Sequence, residues 1–339
     1  MTTNPKTHSA ESNLRTRVRD YTARMVQIED YLAKQPGEWG RFQSEFNQEI
    51  NQVFRDLMTY EKECLETGEE QKVYKLKRLF VNRFRDGFSK GEYIQWSLEK
   101  PYGYAGDYKI IDDIYRNSPT TQGVERLFDN YFMMSTISNA VRNRKSDCKR
   151  IMTDLISRHT GELIKLMNLA SGPCRDVLEI LSDPAVRNKN VAFQCADQDL
   201  HAIDYASKLL NHDPRVKFVR QNAVRIALKK DIESAMEGGY DAIYTMGLFD
   251  YLDSRVSVKL IQNLRKLLKP GGILVIWDVR DKFSNPSVHF MEWVGDWNLT
   301  YRDDDEFRSF FVQSGFRPED LEVGFEQQGI IQYVIGTKR

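Results

Sequence analysis

Residues 163–176 constrain the fold of this chain most, because an apolar run there meets a tight turn and an apolar-periodic stretch follows. The turn consists of small residues, Ala170-Ser-Gly-Pro-Cys174. This order predicts a strand, a sharp turn and a helix, which together open a nucleotide-type α/β domain. A second apolar strand, 191–196, leads to Asp197, about 25 residues after the turn, where such folds place an acid that binds ribose hydroxyls.

Apolar runs and amphipathic stretches continue to alternate along the second half. The predicted strands are 163–169, 191–196, 216–219, 242–245 and 273–277, with a helix at 256–268 and a closing hairpin of 321–325 and 330–335. Alternating β and α segments predict a parallel sheet, and a hairpin adds antiparallel edge strands. We therefore predict an α/β fold, a doubly wound Rossmann-like seven-stranded sheet over residues 151–339.

The first half carries helical periodicity instead. Apolar residues recur at steps of three and four along 18–32, 42–60 and 74–84, and residues 123–159 predict one further helix. We predict a helical domain over 13–150, preceded by a polar, disordered tail at 1–12 without an apolar signal core. The apolar stripes favour packing within the chain, and the alternative is a homodimer through these N-terminal helices.

Composition narrows the classes of partner. The 339 residues include 49 Lys+Arg and 49 Asp+Glu, so there is no electrostatic case for a nucleic acid or an anionic membrane surface. No stretch approaches the roughly 20 apolar residues of a membrane span. The four cysteines lack C-x-x-C spacing, which favours free thiols in the cytoplasm, and the five histidines show no spacing typical of a metal site.

The small-residue turn discriminates between two classes of ligand. A dinucleotide needs backbone N–H groups of a G-x-G-x-x-G turn around its pyrophosphate. Here only Gly172 is glycine, and Pro173 has no N–H to donate. S-adenosyl-L-methionine has no phosphate and needs a small-residue turn, an acid for its ribose and an apolar slot for adenine.

At these positions the chain resembles the class I S-adenosylmethionine-dependent methyltransferases. Asn168-x-Ala170-x-Gly172-x-Cys174 stands where that family has acid-x-Gly-x-Gly-x-Gly, and Asp197 matches the acid after the second strand. Asn222-Ala223, residues 246–251 and residues 269–272 match three later segments in order. The resemblance implies an enzyme that binds S-adenosyl-L-methionine. The cofactor-binding residues that we predict are Ala170, Ser171, Gly172, Asp197, Gln198, Asn222, Ala223, Met246 and, for the methionine carboxylate, Arg144.

A narrower resemblance extends into the helical half. Residues 101–107, 140–144, 170–174 and 297–302 are similar to a bacterial methyltransferase family whose members are described as methylating the carboxyl group of 3-hydroxy fatty acids. This implies a small-molecule, fatty-acid-like substrate with the helical domain as its cap. The substrate-binding residues that we predict are Tyr104, Asp107, Arg142, Tyr301 and Arg302.

Methyl transfer leaves three hypotheses open. A carboxylate is ionised at pH 7 and needs no general base, only a group that positions it; Tyr104, His289 and Arg302 are the predicted catalytic residues. N- or C-methylation of an aromatic or amine metabolite instead needs a base such as His289 or Asp250. The third hypothesis is a non-catalytic cofactor-binding scaffold or sensor. Trp293 and Trp297 are predicted either as walls of a lipophilic pocket or as ordinary core.

Overall fold

The computed structural model describes residues 5–160 and 163–339. The chain divides into two compact units. The first runs to Ser138 and takes in Asn285–Asn298, and the second comprises Asn139–Ser284 and Leu299–Arg339. The boundary thus precedes the predicted one at residue 150, and a segment from the second half of the sequence belongs to the helical unit.

The first unit is helical. Its helices are α1 (Pro5–Leu32), α2 (Gln43–Glu66), α3 (Glu70–Arg83), α4 (Glu92–Glu99), α5 (Tyr108–Arg116) and α6 (Gly123–Met134), and Phe290–Val294 adds a π-helical turn. Of the predicted disordered tail, residues 1–4 lie outside the described residues, and α1 extends the helical part back to Pro5.

Aromatic side chains form the centre of the helical unit. The ring of Phe54 lies 6.1 Å from Phe80 and 5.7 Å from Phe290, which lies 4.8 Å from Tyr131. The apolar stripe of α1 is buried too, at Leu14, Val18, Tyr21, Met25, Ile28 and Leu32. The chain itself therefore covers this stripe, and the homodimer stays a prediction without support from it.

The predicted helix over 123–159 is two helices. Helix α6 ends at Met134 and α7 covers Thr136–Arg158, with Ser135 between them in an extended conformation, ψ 151°. The Ser135 hydroxyl accepts a hydrogen bond from the Ser138 backbone N–H at 3.3 Å, which satisfies a donor of the first turn of α7. A serine inside a continuing apolar pattern gave no sign of this break.

The second unit contains one seven-stranded sheet. Its strands are β1 (Ile164–Leu169), β2 (Val191–Asp197), β3 (Val216–Arg220), β4 (Tyr240–Met246), β5 (Leu268–Val279), β6 (Leu321–Phe325) and β7 (Ile331–Thr337). They lie in the order β3-β2-β1-β4-β5-β7-β6. The first five pair in parallel, and β7 pairs antiparallel with both β5 and β6. The predicted doubly wound, Rossmann-like sheet with its antiparallel hairpin is confirmed.

Helices cover the sheet, because its strands carry apolar side chains on both faces and these must be buried. These helices are α8 (Arg175–Ser182), α9 (Leu200–Leu209), α10 (Ala223–Leu228), α11 (Ser254–Leu267) and α12 (Asp304–Gln313). Side chains of α10, α11 and α12 share one apolar cluster with Ile243 of β4 and Ile276 of β5. On the opposite face, Tyr244 of β4 donates to Asp176 of α8.

The predicted turn at 269–272 is part of β5. Gly271 N donates to Lys338 O at 2.7 Å and Lys338 N donates to Gly272 O at 2.9 Å, so the end of the chain holds this segment in the sheet. Within residues 5–160 and 163–339, no helix has the length and apolar character that a bilayer crossing requires.

Candidate functional site

The turn after β1 holds three left-handed residues. The φ angles of Ala170, Gly172 and Cys174 are +54°, +52° and +53°. These are the three positions at which the resembling family has glycine, and a non-glycine residue there costs about 1–2 kcal/mol. The backbone of a glycine turn is therefore present although two glycines are not. A Cβ added to Gly172 meets no atom within 4 Å, so the space above the turn is open.

Asp197, the last residue of β2, connects the strand to this turn. Its Oδ2 accepts from Gly172 N and its Oδ1 accepts from Asp199 N, both at 2.9 Å. The residue is 7% exposed, and its burial raises the pKa of the carboxyl group. Each oxygen keeps a further lone pair for a ligand hydroxyl. Asp199 is the N-cap of α9 and accepts from His201 N at 2.8 Å, so capping does not account for Asp197.

Gln198 and Asn222 meet across the ends of β2 and β3. Asn222 Nδ2 donates to Gln198 Oε1 at 2.6 Å, and Asn222 Oδ1 accepts from Arg225 N at 2.9 Å as the cap of α10. Ala223 begins that helix and is half-buried. The predicted residues of this edge therefore lie at the carboxyl ends of neighbouring strands, where ligands bind in open α/β sheets.

A buried polar network lies beneath the turn, and sequence reasoning missed its acid. Asp176 Oδ2 accepts from Tyr244 Oη at 2.7 Å and from Asn168 Nδ2 at 3.1 Å. Burial raises the pKa of Asp176 to about 6. Asn168 stands where the family that this chain resembles has its acid. Here the carboxylate comes from Asp176 of α8, which accepts a hydrogen bond from Asn168. The sequence signal that could have identified Asp176 is its place next to Val177, on the apolar side of a short helix.

Arg144 lies at the end of β4 and is incompletely paired. It is 5% exposed, its Nη1 lies 4.0 Å from Asp250 Oδ2, and its buried Nε has no hydrogen-bond partner. A Cβ on Gly247 would stand 2.8 Å from Arg144 Nη2, so the chain needs glycine at this close approach. Met246, the last residue of β4, directly precedes Gly247 and is half-buried. A buried guanidinium with free donors fits a carboxylate ligand.

Arg302, predicted as a catalytic and substrate-binding residue, is a buried side chain. It is 2% exposed; its Nη1 donates to Asp278 Oδ1 at 3.2 Å and to Phe249 O at 3.1 Å, and its Nη2 donates to Leu252 O. Burial and the neighbouring Asp250 raise the pKa of Asp278, and Arg302 opposes that shift. Arg302 therefore fastens the loop after β4 to the end of β5. Tyr301, next to it, is half-buried.

Two predicted residues of the helical unit are also engaged in structure. Asp107 is buried, caps α5 through Lys109 N and Ile110 N, and accepts from Trp96 Nε1 at 2.8 Å. His289 is 0% exposed, and its Nε2 lies 2.6 Å from Glu61 Oε2. Both side chains are buried and engaged in these contacts, and their roles toward a substrate stay predictions.

Among the remaining predicted residues, Tyr104 and Arg142 are less enclosed. Tyr104, in the helical unit, is half-buried. Arg142, in the second unit, donates to Asn139 Oδ1, and burial lowers the pKa of its guanidinium. Trp293 is core, with its ring 5.8 Å from Phe80. The described residues contain no group of three His, Cys, Asp or Glu side chains arranged to hold a metal ion.

The residues at the carboxyl edge fit an adenosyl ligand without phosphate. The open space above Gly172 offers room, and the Ser171 hydroxyl is buried without a hydrogen-bond partner. Asp197 supplies acceptors for hydroxyls, and Arg144 supplies donors for a carboxylate. Both ends of such a ligand therefore find complementary groups within the second unit.

One solved structure shares the fold of this chain over nearly its whole length. A possible exported protein from Bordetella parapertussis is 18% identical, with 99% of each chain covered and a TM-score of 0.55. An O-methyltransferase family protein from Burkholderia thailandensis is 18% identical over 62% of each chain, with a TM-score of 0.41. Magnesium protoporphyrin IX methyltransferase from Synechocystis, with bound SAH, is 10% identical over 67% of this chain and 94% of that chain, with a TM-score of 0.45. No family model and no curated protein matches the sequence.

Proposed function

We propose that this chain is an S-adenosylmethionine-dependent methyltransferase of a small molecule, and that it methylates a carboxylate oxygen. One observation carries the proposal: the left-handed turn after β1 has Gly172 N bonded to Asp197 at the end of β2, with open space above it. Ala170 and Cys174 support the proposal as well, because backbone strain at non-glycine residues of positive φ is typical of ligand sites.

Each end of the cofactor has a group of this chain to meet it. Asp197 accepts the ribose hydroxyls, and Gly172 permits the ligand to approach the backbone. Ser171 Oγ and Arg144 offer unused hydrogen-bonding atoms for the amino-acid end. When bound, the cofactor supplies an electrophilic methyl group on a sulfonium. The chain fixes distance and angle and excludes water.

The state of the acids and of His289 favours a carboxylate as the acceptor. An amine or a phenol needs a general base, and His289 is enclosed with Glu61. Asp250 is buried, and its Oδ1 accepts from Val279 N at 2.7 Å. Both predicted bases are thus buried, whereas an ionised carboxylate needs no general base. The fatty-acid-like character of the substrate and the cytoplasmic location rest on sequence alone.

Calorimetry with S-adenosylhomocysteine tests the cofactor, and product analysis on a panel of carboxylic acids tests the reaction. We expect saturable binding that Asp197→Ala weakens at least about tenfold, because two hydroxyl contacts are lost. Asp199→Asn, which keeps the cap of α9, is the matched control.

The pH profile separates the remaining hypotheses. Ester formation predicts a rate that is nearly flat above pH 6, and a steep rise toward alkaline pH would support N- or C-methylation. Binding without turnover on any acid would leave the scaffold or sensor, and absence of binding would overturn the proposal.

A further inference from the structure

Two carboxyl groups and two guanidinium groups are buried at the carboxyl ends of β4 and β5. This four-residue cluster consists of Arg144, Asp250, Asp278 and Arg302, each at most 5% exposed and all within the second unit. Arg302 Nη1 lies 3.2 Å from both carboxyl oxygens of Asp278, whereas Arg144 Nη1 lies 4.0 Å from Asp250 Oδ2. The first distance is that of a hydrogen bond and the second is longer than one. Asp250 therefore does not hold Arg144 as Asp278 holds Arg302.

The two carboxyl groups of the cluster face each other. Asp250 Oδ1 accepts from the backbone N–H of Val279 at 2.7 Å, and the neighbouring Asp278 carboxyl group lies within hydrogen-bonding distance of Asp250. Two buried carboxylates at this separation are not both ionised, because neither can donate and their charges repel. Burial and the charge of Asp250 raise the pKa of Asp278. The pair therefore holds one proton, which Asp278 donates to Asp250.

The titratable and polar groups around the cluster are neutral or engaged elsewhere. Cys148 of α7 faces Arg144, and burial raises the pKa of its thiol. Gln332, opposite Asp278 on β7, has no charge. Three acids of the neighbouring loops cap α11, cap α12 or bind Arg280, and these are Asp253, Asp303 and Asp304. The charge of the cluster therefore depends on its own four groups.

We propose that Asp250 and Asp278 are positioning residues that share one proton, and that this proton leaves Arg144 to the carboxylate of the ligand. With the proton, the cluster carries two positive charges and one negative charge, and a ligand carboxylate neutralises the remainder. When the proton leaves to solvent, the cluster is neutral by itself, and Asp250 competes with the ligand for Arg144. The inference rests on the proposed function and deepens it, because it links ligand binding to this proton.

Infrared spectroscopy detects the proton without a ligand, through the C=O stretch of a protonated carboxylic acid. We expect this band at about pH 8, where Asp176, with its pKa of about 6, is ionised. Asp278→Asn and Asp250→Asn should each lack the band, because the amide then donates to the one remaining carboxylate. Absence of the band from the unaltered chain, or its persistence in both variants, would overturn the shared proton.

Calorimetry with S-adenosylhomocysteine between about pH 6.5 and about pH 9.5 tests the linkage. We expect the unaltered chain to lose at least about threefold more affinity over this range than either variant, because each variant keeps one net positive charge in the cluster at every pH. The amino group of the ligand titrates alike in all three experiments. Equal losses in the three proteins, or weaker binding by both variants at every pH, would overturn the linkage.

The analogue of S-adenosylhomocysteine without its carboxyl group is the matched ligand control. It keeps the amino group, and we expect its pH dependence to be the same in the unaltered chain and in both variants. The same extra loss with this analogue would refute the role of Arg144 toward a carboxylate. If the unaltered chain binds neither ligand, the proposed function and the linkage both fall, while the infrared band still decides the shared proton.

Discussion

At the scale of single residues, Ala170 and Cys174 hold a backbone conformation that glycine adopts without strain. Their φ angles of +54° and +53° match that of Gly172. The turn is therefore identified by where these residues stand, between β1 and α8, and not by their residue type. Residue type is also a poor guide to Arg302 and His289, because the partners that enclose them, Asp278 and Glu61, are distant in sequence and nothing local announces them.

Gly247→Ala tests the close approach of Arg144. We expect a loss of unfolding free energy of about 1–3 kcal/mol together with weaker cofactor binding, because the added Cβ would stand 2.8 Å from Arg144 Nη2. Gly271→Ala is the matched control, since the φ angles are +76° and +78° and no atom lies within 4 Å of a Cβ at Gly271. Equal losses in urea unfolding would contradict the contact.

Asp176 gives stability a pH dependence of known sign. Burial raises its pKa from 3.8 to about 6, so the folded chain binds this proton more tightly than the unfolded chain. The favourable contribution is complete below pH 3.8 and is lost as the pH rises through about 6. We expect Asp176→Asn, which does not titrate, to gain up to roughly 3 kcal/mol relative to the unaltered chain between pH 4 and pH 7 in urea unfolding. A constant difference would contradict the raised pKa.

At the scale of elements, the strands were predictable and the breaks were not. The predicted 191–196 and 216–219 differ by one residue at the end from Val191–Asp197 and Val216–Arg220, because valine and phenylalanine, which favour strands, mark both segments. The break at Ser135 and the extension of β5 through residues 269–272 depend on individual hydrogen bonds, which periodicity does not contain.

Ser135→Ala tests whether the cap maintains the break between α6 and α7. We expect a loss of about 0.5–2 kcal/mol, because the Ser138 N–H loses its acceptor. Ser135→Thr retains the hydroxyl and serves as the control. Thermal unfolding checks both variants, and a neutral Ser135→Ala would show that the helix end is satisfied by other means.

At the scale of the whole molecule, the helical unit depends on a segment from far along the chain. Phe290 is buried there, with its ring 4.8 Å from Tyr131 and 5.7 Å from Phe54. The sequence placed residues 285–298 with the sheet, because chain order was the only guide to membership of a domain. The fold class needed no such information, since it follows from the alternation of strands and helices.

Phe290→Ala tests that dependence. We expect a loss of about 3–5 kcal/mol and faster amide hydrogen exchange in α2 and α6, which contain Phe54 and Tyr131. Val323→Ala, at a residue 40% exposed on β6, is the control and is expected to change stability by less than about 0.5 kcal/mol. Exchange that rises uniformly over the chain would argue against a local role.

The late arrival of Asn285–Asn298 has a consequence for biosynthesis. A ribosome releases the first 138 residues early, yet the aromatic centre of that unit lacks Phe290 until translation has passed through most of the sheet. During this interval the amino-terminal helices leave apolar surface uncovered. We therefore expect chaperones to bind nascent chains whose synthesis stops after Ser138 and before Phe290.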